Sequence, residues 1–284
     1  MATRGHLHEI ELEGSGSCVV RDIEGPSGAP TLLLLHGWGA TARMNWGPCF
    51  EPLSRHFRVL AVDHRGHGRG LRTTRFDLAE CADDAIEIAE ALSCDSVIAV
   101  GWSMGGPIAS LAWRRHPERV GGLVLCATGR HFVPRRVARA AVPAMRGLAR
   151  LAPSVAVAGL IQRSVARAGE PRTKARFVRE YRNHDPAALI DAFDALSAYS
   201  AHDWIGEVDI PTACVVTTRD GIVPPERQRR LAAAIPGSTV FEVEGDHSAC
   251  VAAPERFVPA LTSACLDVAG RIGWQALPGQ AQAG

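Results

Sequence analysis

The chain has 284 residues, of which 46% are hydrophobic, with 31 basic and 30 acidic side chains and a formal net charge of +1. This balance removes the overall attraction for phosphate backbones, so no nucleic-acid partner is expected. No apolar run approaches the roughly 18–20 residues that span a bilayer, and the first residues lack the apolar core of a secretory signal. We therefore expect a cytoplasmic protein without stable membrane insertion.

Eight cysteines are scattered along the chain, with no C-x-x-C pair among them. In a reducing compartment, isolated cysteines are usually small, buried side chains without a covalent partner. Disulfides and a metal cluster are therefore not expected.

The first third of the chain alternates between apolar runs, polar loops and amphipathic segments. Residues 10–21 predict an opening strand pair, and the run TLLLLHG (31–37) predicts a strand buried on both faces. Further strands are predicted to end near residues 62, 102 and 128, and helices are predicted at 78–92 and 107–116. This alternation predicts a parallel sheet covered by helices, with its chemistry at the carboxyl ends of the strands.

The alternation stops near residue 129, and residues 131–205 contain no strand-like run. Alanine- and arginine-rich stretches with helical spacing, broken by prolines, predict a helical lid at residues 129–205. Strands return at 211–218 and 238–245, with helices predicted at 226–234 and 255–269. The core domain is thus expected at residues 1–128 and 206–270, followed by a C-terminal tail at 271–284.

Residues 101–105, Gly-Trp-Ser-Met-Gly, form a G-x-S-x-G pattern between a predicted strand and a predicted helix. A nucleophile elbow needs this setting, because its serine occupies a tight, strained turn. Glycines two positions before and after Ser103 remove side chains that would collide there. A phosphate-binding loop is excluded, since the G-x-x-x-x-G-K-[ST] pattern is missing. The pattern predicts Ser103 as a catalytic nucleophile.

A serine nucleophile needs a base, and the base needs an orienting carboxylate. His247 follows the last predicted strand, which brings it to the sheet edge that holds Ser103. Asp220 ends the preceding strand, and the order serine, aspartate, histidine is the α/β-hydrolase order. Asp246 is a rival acid, but a sequence neighbour is poorly placed to reach the imidazole nitrogen that faces away from Ser103. We predict Asp220 and His247 as the partners of Ser103.

An oxyanion hole requires two backbone N–H groups that point at the developing negative charge. The amide of Met104, directly after the nucleophile, is the first candidate. Trp38, in the His-Gly-Trp-Gly segment after the first buried strand, is the second, because its flanking glycines allow close approach of a substrate. His36 is expected to brace this loop and to take no part in the chemistry.

The segments LLLLHGWG, VLAVDHRGHGRG, VGWSMGGPIA, TTRDGIVPP and EGDHS occur in this order. Together they resemble the α/β-hydrolase superfamily over about residues 31–266, and within it the capped serine esterases and hydrolases. The resemblance implies a mostly parallel eight-stranded sheet with helices on both faces, a helical lid, and a Ser–His–Asp triad that uses no cofactor. Arg69 departs from the family, where a small polar residue is common.

Substrate preference is expected to lie in the lid and the pocket walls. Apolar side chains predicted to line the pocket are Trp102, Met145, Leu148 and Val223. We expect hydrolysis of a carboxylic ester of an apolar acyl group or small molecule. The alternatives are a C–C bond hydrolase of the meta-cleavage-product type, a thioesterase and a lactonase with the same triad. A non-catalytic ligand-binding member of the fold is a further alternative.

The first part of the predicted lid is strongly basic, with twelve basic and two acidic residues between residues 132 and 182. Three interpretations remain open: a solvated arginine-rich helix face, weak contact with an anionic membrane surface, and an anionic substrate.

Overall fold

A computed structural model of the chain describes residues 5–73, 75–132, 142–144 and 183–274. Eight strands form one sheet in the order β1-β2-β4-β3-β5-β6-β7-β8. The strands are β1 (His6–Leu12), β2 (Gly16–Ile23), β3 (Thr31–Leu35), β4 (Arg58–Val62), β5 (Val97–Trp102), β6 (Val120–Cys126), β7 (Thr212–Thr217) and β8 (Thr239–Val243). The pairings β1–β2 and β2–β4 are antiparallel, and the other pairings are parallel.

Besides a 3-10 helix at Ile205–Glu207, eight α-helices with defined bounds accompany the sheet in the described part of the chain. They are α1 (Ala42–Trp46), α2 (Phe50–Ser54), α3 (Leu78–Ala91), α4 (Gly105–Arg115), α5 (Pro186–Ala198), α6 (Pro225–Ala232), α7 (Ala249–Ala252) and α8 (Pro254–Arg271). The expected α/β-hydrolase fold with a mostly parallel eight-stranded sheet is confirmed. The short helices α1, α2 and α7 were not predicted.

Side-chain alternation along the strands divides the core into two layers. Leu33 and Leu35 of β3 pack in the layer that includes α3 and α4. Leu32 and Leu34 point to the opposite face and pack in the layer that includes α8. Every residue of β3 is buried, because helices cover both faces of the sheet.

Capping residues fix the start of two helices near the sheet edge. The Asp77 side chain accepts hydrogen bonds from the first amides of α3, and the Asp185 side chain does the same for α5, where Pro186 occupies the first turn. Helix α5 is the part of the predicted lid that the structure describes at length. Most of the lid, with Met145 and Leu148, lies outside the described residues, as do residues 275–284 of the predicted tail.

All eight cysteines are buried and unbridged. Among the described helices, none is long and apolar enough to cross a membrane.

Candidate active site

The turn between β5 and α4 holds Ser103 in the left-handed region, with φ of 52°. The flanking glycines leave no room for a side chain. A Cβ on Gly101 would lie 2.2 Å from the carbonyl oxygen of Gly105, and a Cβ on Gly105 would lie 2.1 Å from that of Leu35. The Thr128 hydroxyl donates to the Ser103 carbonyl oxygen at 2.8 Å and holds the turn from the neighbouring strand. The local geometry is that of a nucleophile elbow.

Ser103, His247 and Asp220 form a continuous chain of hydrogen bonds. The distance from Ser103 Oγ to His247 Nε2 is 2.9 Å, and the distance from His247 Nδ1 to Asp220 Oδ2 is 2.7 Å. In this network Nδ1 carries the proton and Nε2 accepts from the serine hydroxyl. The histidine is therefore placed to take a proton from Ser103 while the carboxylate supports the positive charge that results.

The Asp220 carboxylate is buried, and hydrogen bonds from neighbouring groups stabilise its negative charge. Burial raises its pKa, but the hydrogen bond and charge of His247, with the amides of Val223 and Ile222, outweigh burial and hold that pKa below its usual range. The rival acid Asp246 faces elsewhere, since its Oδ1 accepts from the backbone and hydroxyl of Ser248.

In the loop after β3, the two glycines that flank Trp38 donate their backbone N–H groups to side chains. The Gly37 N–H donates to Asn45 Oδ1 at 2.8 Å, and the Gly39 N–H donates to His67 Nε2 at 3.3 Å. Within the described ranges, no internal acceptor is found for the Trp38 N–H or for the Met104 N–H. These are the two amides that the sequence predicts for an oxyanion hole, and that role stays a prediction.

Three buried histidines brace this loop. His36 Nδ1–H donates to the Gly37 carbonyl at 2.8 Å, and its Nε2 accepts from the His64 backbone N–H at 3.0 Å. Burial lowers the pKa of His36 to about 4. Burial, with His36 beside them, also holds the pKa of His64 and His67 well below its usual value. Neutral imidazoles suit these contacts, because His36 and His67 each accept a backbone N–H at Nε2 and donate from Nδ1 to a carbonyl, and a protonated ring has no acceptor nitrogen.

Asn45 connects the loop after β3 to the segment after His247. Its Oδ1 accepts from the Gly37 N–H, and its Nδ2–H donates to Cys250 Sγ at 3.0 Å. The asparagine is buried on the short helix α1. The sequence around Asn45 has no feature that distinguishes it from other polar residues, so its role could not be predicted.

Helix α5 is joined to the same loop. The Trp38 indole N–H donates to the Leu189 carbonyl at 2.7 Å, and the Trp38 ring lies 5.9 Å from that of Phe193. His184 donates to the Ala40 carbonyl at 3.0 Å. The described part of the predicted lid thus contacts the residues that flank the candidate oxyanion amide.

The other predicted pocket residues are buried in the core. Trp102 meets Phe257 edge-on at 5.0 Å and lies 5.7 Å from the His247 ring, so it supports the imidazole. Val223 is 2% exposed. Pocket roles for Trp102 and Val223 stay predictions.

The described residues contain no group of three or more side chains arranged to hold a metal ion. The described site brings together a hydroxyl, an imidazole and a carboxylate, beside the backbone amides of the two loops.

The sequence signature of the alpha/beta hydrolase fold matches residues 30–254. The chain is similar to the pimeloyl-[acyl-carrier protein] methyl ester esterase of Chromobacterium violaceum, with 30% identity over 240 residues that cover 82% of this chain and 92% of the relative. In structure it is similar to a hydrolase from Pseudomonas aeruginosa PA01, with TM-score 0.80, 24% identity, and coverage of 92% of this chain and 98% of the other. It is also similar to the enol-lactonase from Burkholderia xenovorans LB400, with TM-score 0.77, 23% identity, and coverage of 93% and 100%.

Proposed function

The chain belongs to the alpha/beta hydrolase fold family and is a hydrolase, and on that premise we propose that it cleaves carboxylic esters of apolar acyl groups through an acyl-enzyme on Ser103. The observation that carries the proposal is the chain of hydrogen bonds from Ser103 Oγ to His247 at 2.9 Å and from His247 to Asp220 at 2.7 Å.

In the first half of the reaction, Ser103 Oγ attacks the ester carbonyl carbon while His247 Nε2 takes the hydroxyl proton. Asp220 stabilises the imidazolium ion, and the amides of Trp38 and Met104 receive the oxyanion. His247 then donates its proton to the departing alcohol. In the second half, water attacks the acyl-enzyme with the same base, and Ser103 is released as the hydroxyl.

The test compares Ser103→Ala with Ser110→Ala on a short p-nitrophenyl ester. Ser110 is a matched control, because it is a buried serine on α4 whose hydroxyl donates to the Gly106 carbonyl at 3.0 Å. We expect Ser103→Ala to lower kcat by at least about a thousandfold and to abolish labelling by a fluorophosphonate. Ser110→Ala should keep the wild-type kcat and the labelling. Hydrolysis by Ser103→Ala at the wild-type rate would refute the assignment.

A panel of acyl esters, thioesters, lactones and vinylogous diketones then separates the reaction classes. Preference for the esters supports the proposal, and a higher kcat/KM for a diketone would assign C–C bond hydrolysis instead. If the protein does not react with a fluorophosphonate and hydrolyses none of these substrates, it is a ligand-binding member of the fold.

A second candidate is an ester whose acyl chain is attached to an anionic carrier. Two observations favour it. The Chromobacterium violaceum relative is an esterase for a methyl ester on an acyl-carrier protein, and residues 132–182 of this chain include twelve basic and only two acidic side chains. The expected result is a higher kcat/KM for the carrier-bound methyl ester than for the free one, and a loss of that preference with added salt. Equal values for the two esters would remove this candidate.

A further inference from the structure

The carboxylate of Asp220 accepts five hydrogen bonds, of which only one comes from His247. The backbone amides of Ile222 and Val223 donate to Oδ1 at 2.8 and 2.9 Å. His247 donates to Oδ2 at 2.7 Å, the Thr217 hydroxyl donates to the same oxygen at 2.8 Å, and a fifth donor lies on another element. The carboxylate is thereby fixed at both oxygens.

The fifth donor is Gln228, a residue of helix α6 that is only 2% exposed. Its two Nε2 hydrogens face three acceptors, the Val223 carbonyl at 2.7 Å, Thr217 Oγ at 2.9 Å and Asp220 Oδ2 at 3.2 Å, so one hydrogen is shared between two of them. Its Oε1 accepts from the Thr217 backbone N–H at 3.0 Å. Because Oε1 faces a backbone donor, the amide orientation is determined, and the NH₂ group must face the carboxylate.

Thr217 completes the arrangement from the end of β7. Its side chain has no exposed surface, and its hydroxyl accepts from Gln228 Nε2 at 2.9 Å while it donates to Asp220 Oδ2. The hydroxyl proton is thus committed to the carboxylate, because the oxygen already receives a donor. Gln228, Thr217 and Asp220 form a closed ring of hydrogen bonds that spans a strand, a loop and a helix.

We propose that Gln228 and Thr217 are positioning residues for the hydrolysis, which hold Asp220 Oδ2 on the Nδ1–H of His247. The inference rests on the proposed function, since it assigns Asp220 as the acid. Two donors from the strand and helix resist rotation of the carboxylate when the imidazole becomes charged, so Nε2 stays aimed at Ser103. Neither residue touches the reacting atoms.

The alternative is that Thr217 and Gln228 only provide hydrogen-bond partners for each other in the core, as buried polar side chains generally do. The two roles predict the same loss of stability and differ in catalysis. Thr217→Val and Gln228→Met remove the donors with little change of volume. Thr217→Ser keeps the hydroxyl. Thr212→Val is the matched control, because Thr212 is a fully buried threonine at the other end of β7 that donates to the Ile210 carbonyl at 3.1 Å.

The experiment measures kcat and KM on a p-nitrophenyl ester, and the downfield proton resonance of His247 Nδ1–H. We expect Thr217→Val and Gln228→Met each to lower kcat by about tenfold, the scale of one hydrogen bond to a charged group, with KM unchanged and the resonance shifted. Thr217→Ser should restore kcat to within about twofold, and Thr212→Val should leave kcat and the resonance as in the wild type.

Wild-type kcat and an unmoved resonance in both donor-deletion variants would overturn the proposal, as would a loss in Thr212→Val equal to that in Thr217→Val. If one deletion variant does not fold, the other is measured by the same criteria. The resonance reports the His247–Asp220 pair without turnover, so it tests the positioning role separately. Full activity of Ser103→Ala would instead refute the proposed function.

Discussion

Acid should weaken the fold through His36, which lies under the loop after β3. The ring is fully buried, and burial lowers its pKa from 6.5 to about 4. The unfolded chain therefore takes up a proton near pH 6.5, and the folded chain takes it up only near pH 4. The contribution of this histidine to stability is complete above the unfolded value and is lost as the pH falls through that window.

The size of the effect follows from the difference between the two pKa values. A shift of this size corresponds to about 3 kcal/mol over the whole window, and to about 2 kcal/mol between about pH 7 and about pH 5. His64 and His67 change stability in the same direction, because their pKa values are also lowered by burial. The wild-type protein is therefore expected to lose at least the share that belongs to His36.

Urea unfolding at about pH 7 and about pH 5 measures this loss for the wild type, for His36→Gln and for His6→Gln, an exposed control. We expect the pH-dependent loss to be smaller in His36→Gln by about 2 kcal/mol, because the substituted side chain does not titrate. His6→Gln should behave as the wild type does. An identical pH dependence in all three proteins would refute the reasoning.

Three further outcomes are expected. Asp220→Asn should lower kcat on a p-nitrophenyl ester by about 10⁴-fold while near-ultraviolet circular dichroism stays unchanged; a small loss would contradict the role of the acid. Gly105→Ala should cost about 1–3 kcal/mol in urea unfolding, since its Cβ would lie 2.1 Å from a carbonyl oxygen, whereas Gly270→Ala, with nothing within 4 Å, should not destabilise the protein. Trp38→Phe should lower kcat/KM by about tenfold and speed proteolysis near α5, because the Leu189 carbonyl loses its donor; unchanged values would argue against coupling between α5 and the loop.

The architecture was predictable because it depends on hydropathy periods that repeat over many residues. The predicted helix at 78–92 is observed at Leu78–Ala91, and the predicted strand at 211–218 is observed at Thr212–Thr217. Ser103, Asp220 and His247 could be selected in advance because each follows a strand at the same edge of a parallel sheet. Their distances follow from that topology.

The residues that surround the site could not be selected in the same way. Asn45 lies on a helix of five residues and Gln228 on an ordinary amphipathic helix, so neither is marked by a glycine, a turn or a strand end. Asn45 contacts Cys250, which lies 205 positions away. The contacts of Gln228 lie within 11 positions, but they depend on how α6 packs against the end of β7, which a single sequence does not reveal. Strand alternation places the ring of Trp102 in the layer that contains α8, and its role at the pocket stays a prediction.

The bond between Asn45 and Cys250 joins residues 205 positions apart, and the bond between Ser103 and His247 spans 144 positions. Contacts of such long sequence separation form late, since the loop between them must close first. During synthesis from the N-terminus, β3, β5 and the elbow emerge well before the histidine. The Ser103 hydroxyl therefore has no imidazole beside it until His247 has been synthesised, and a chain cut before position 247 lacks one member of the proposed triad.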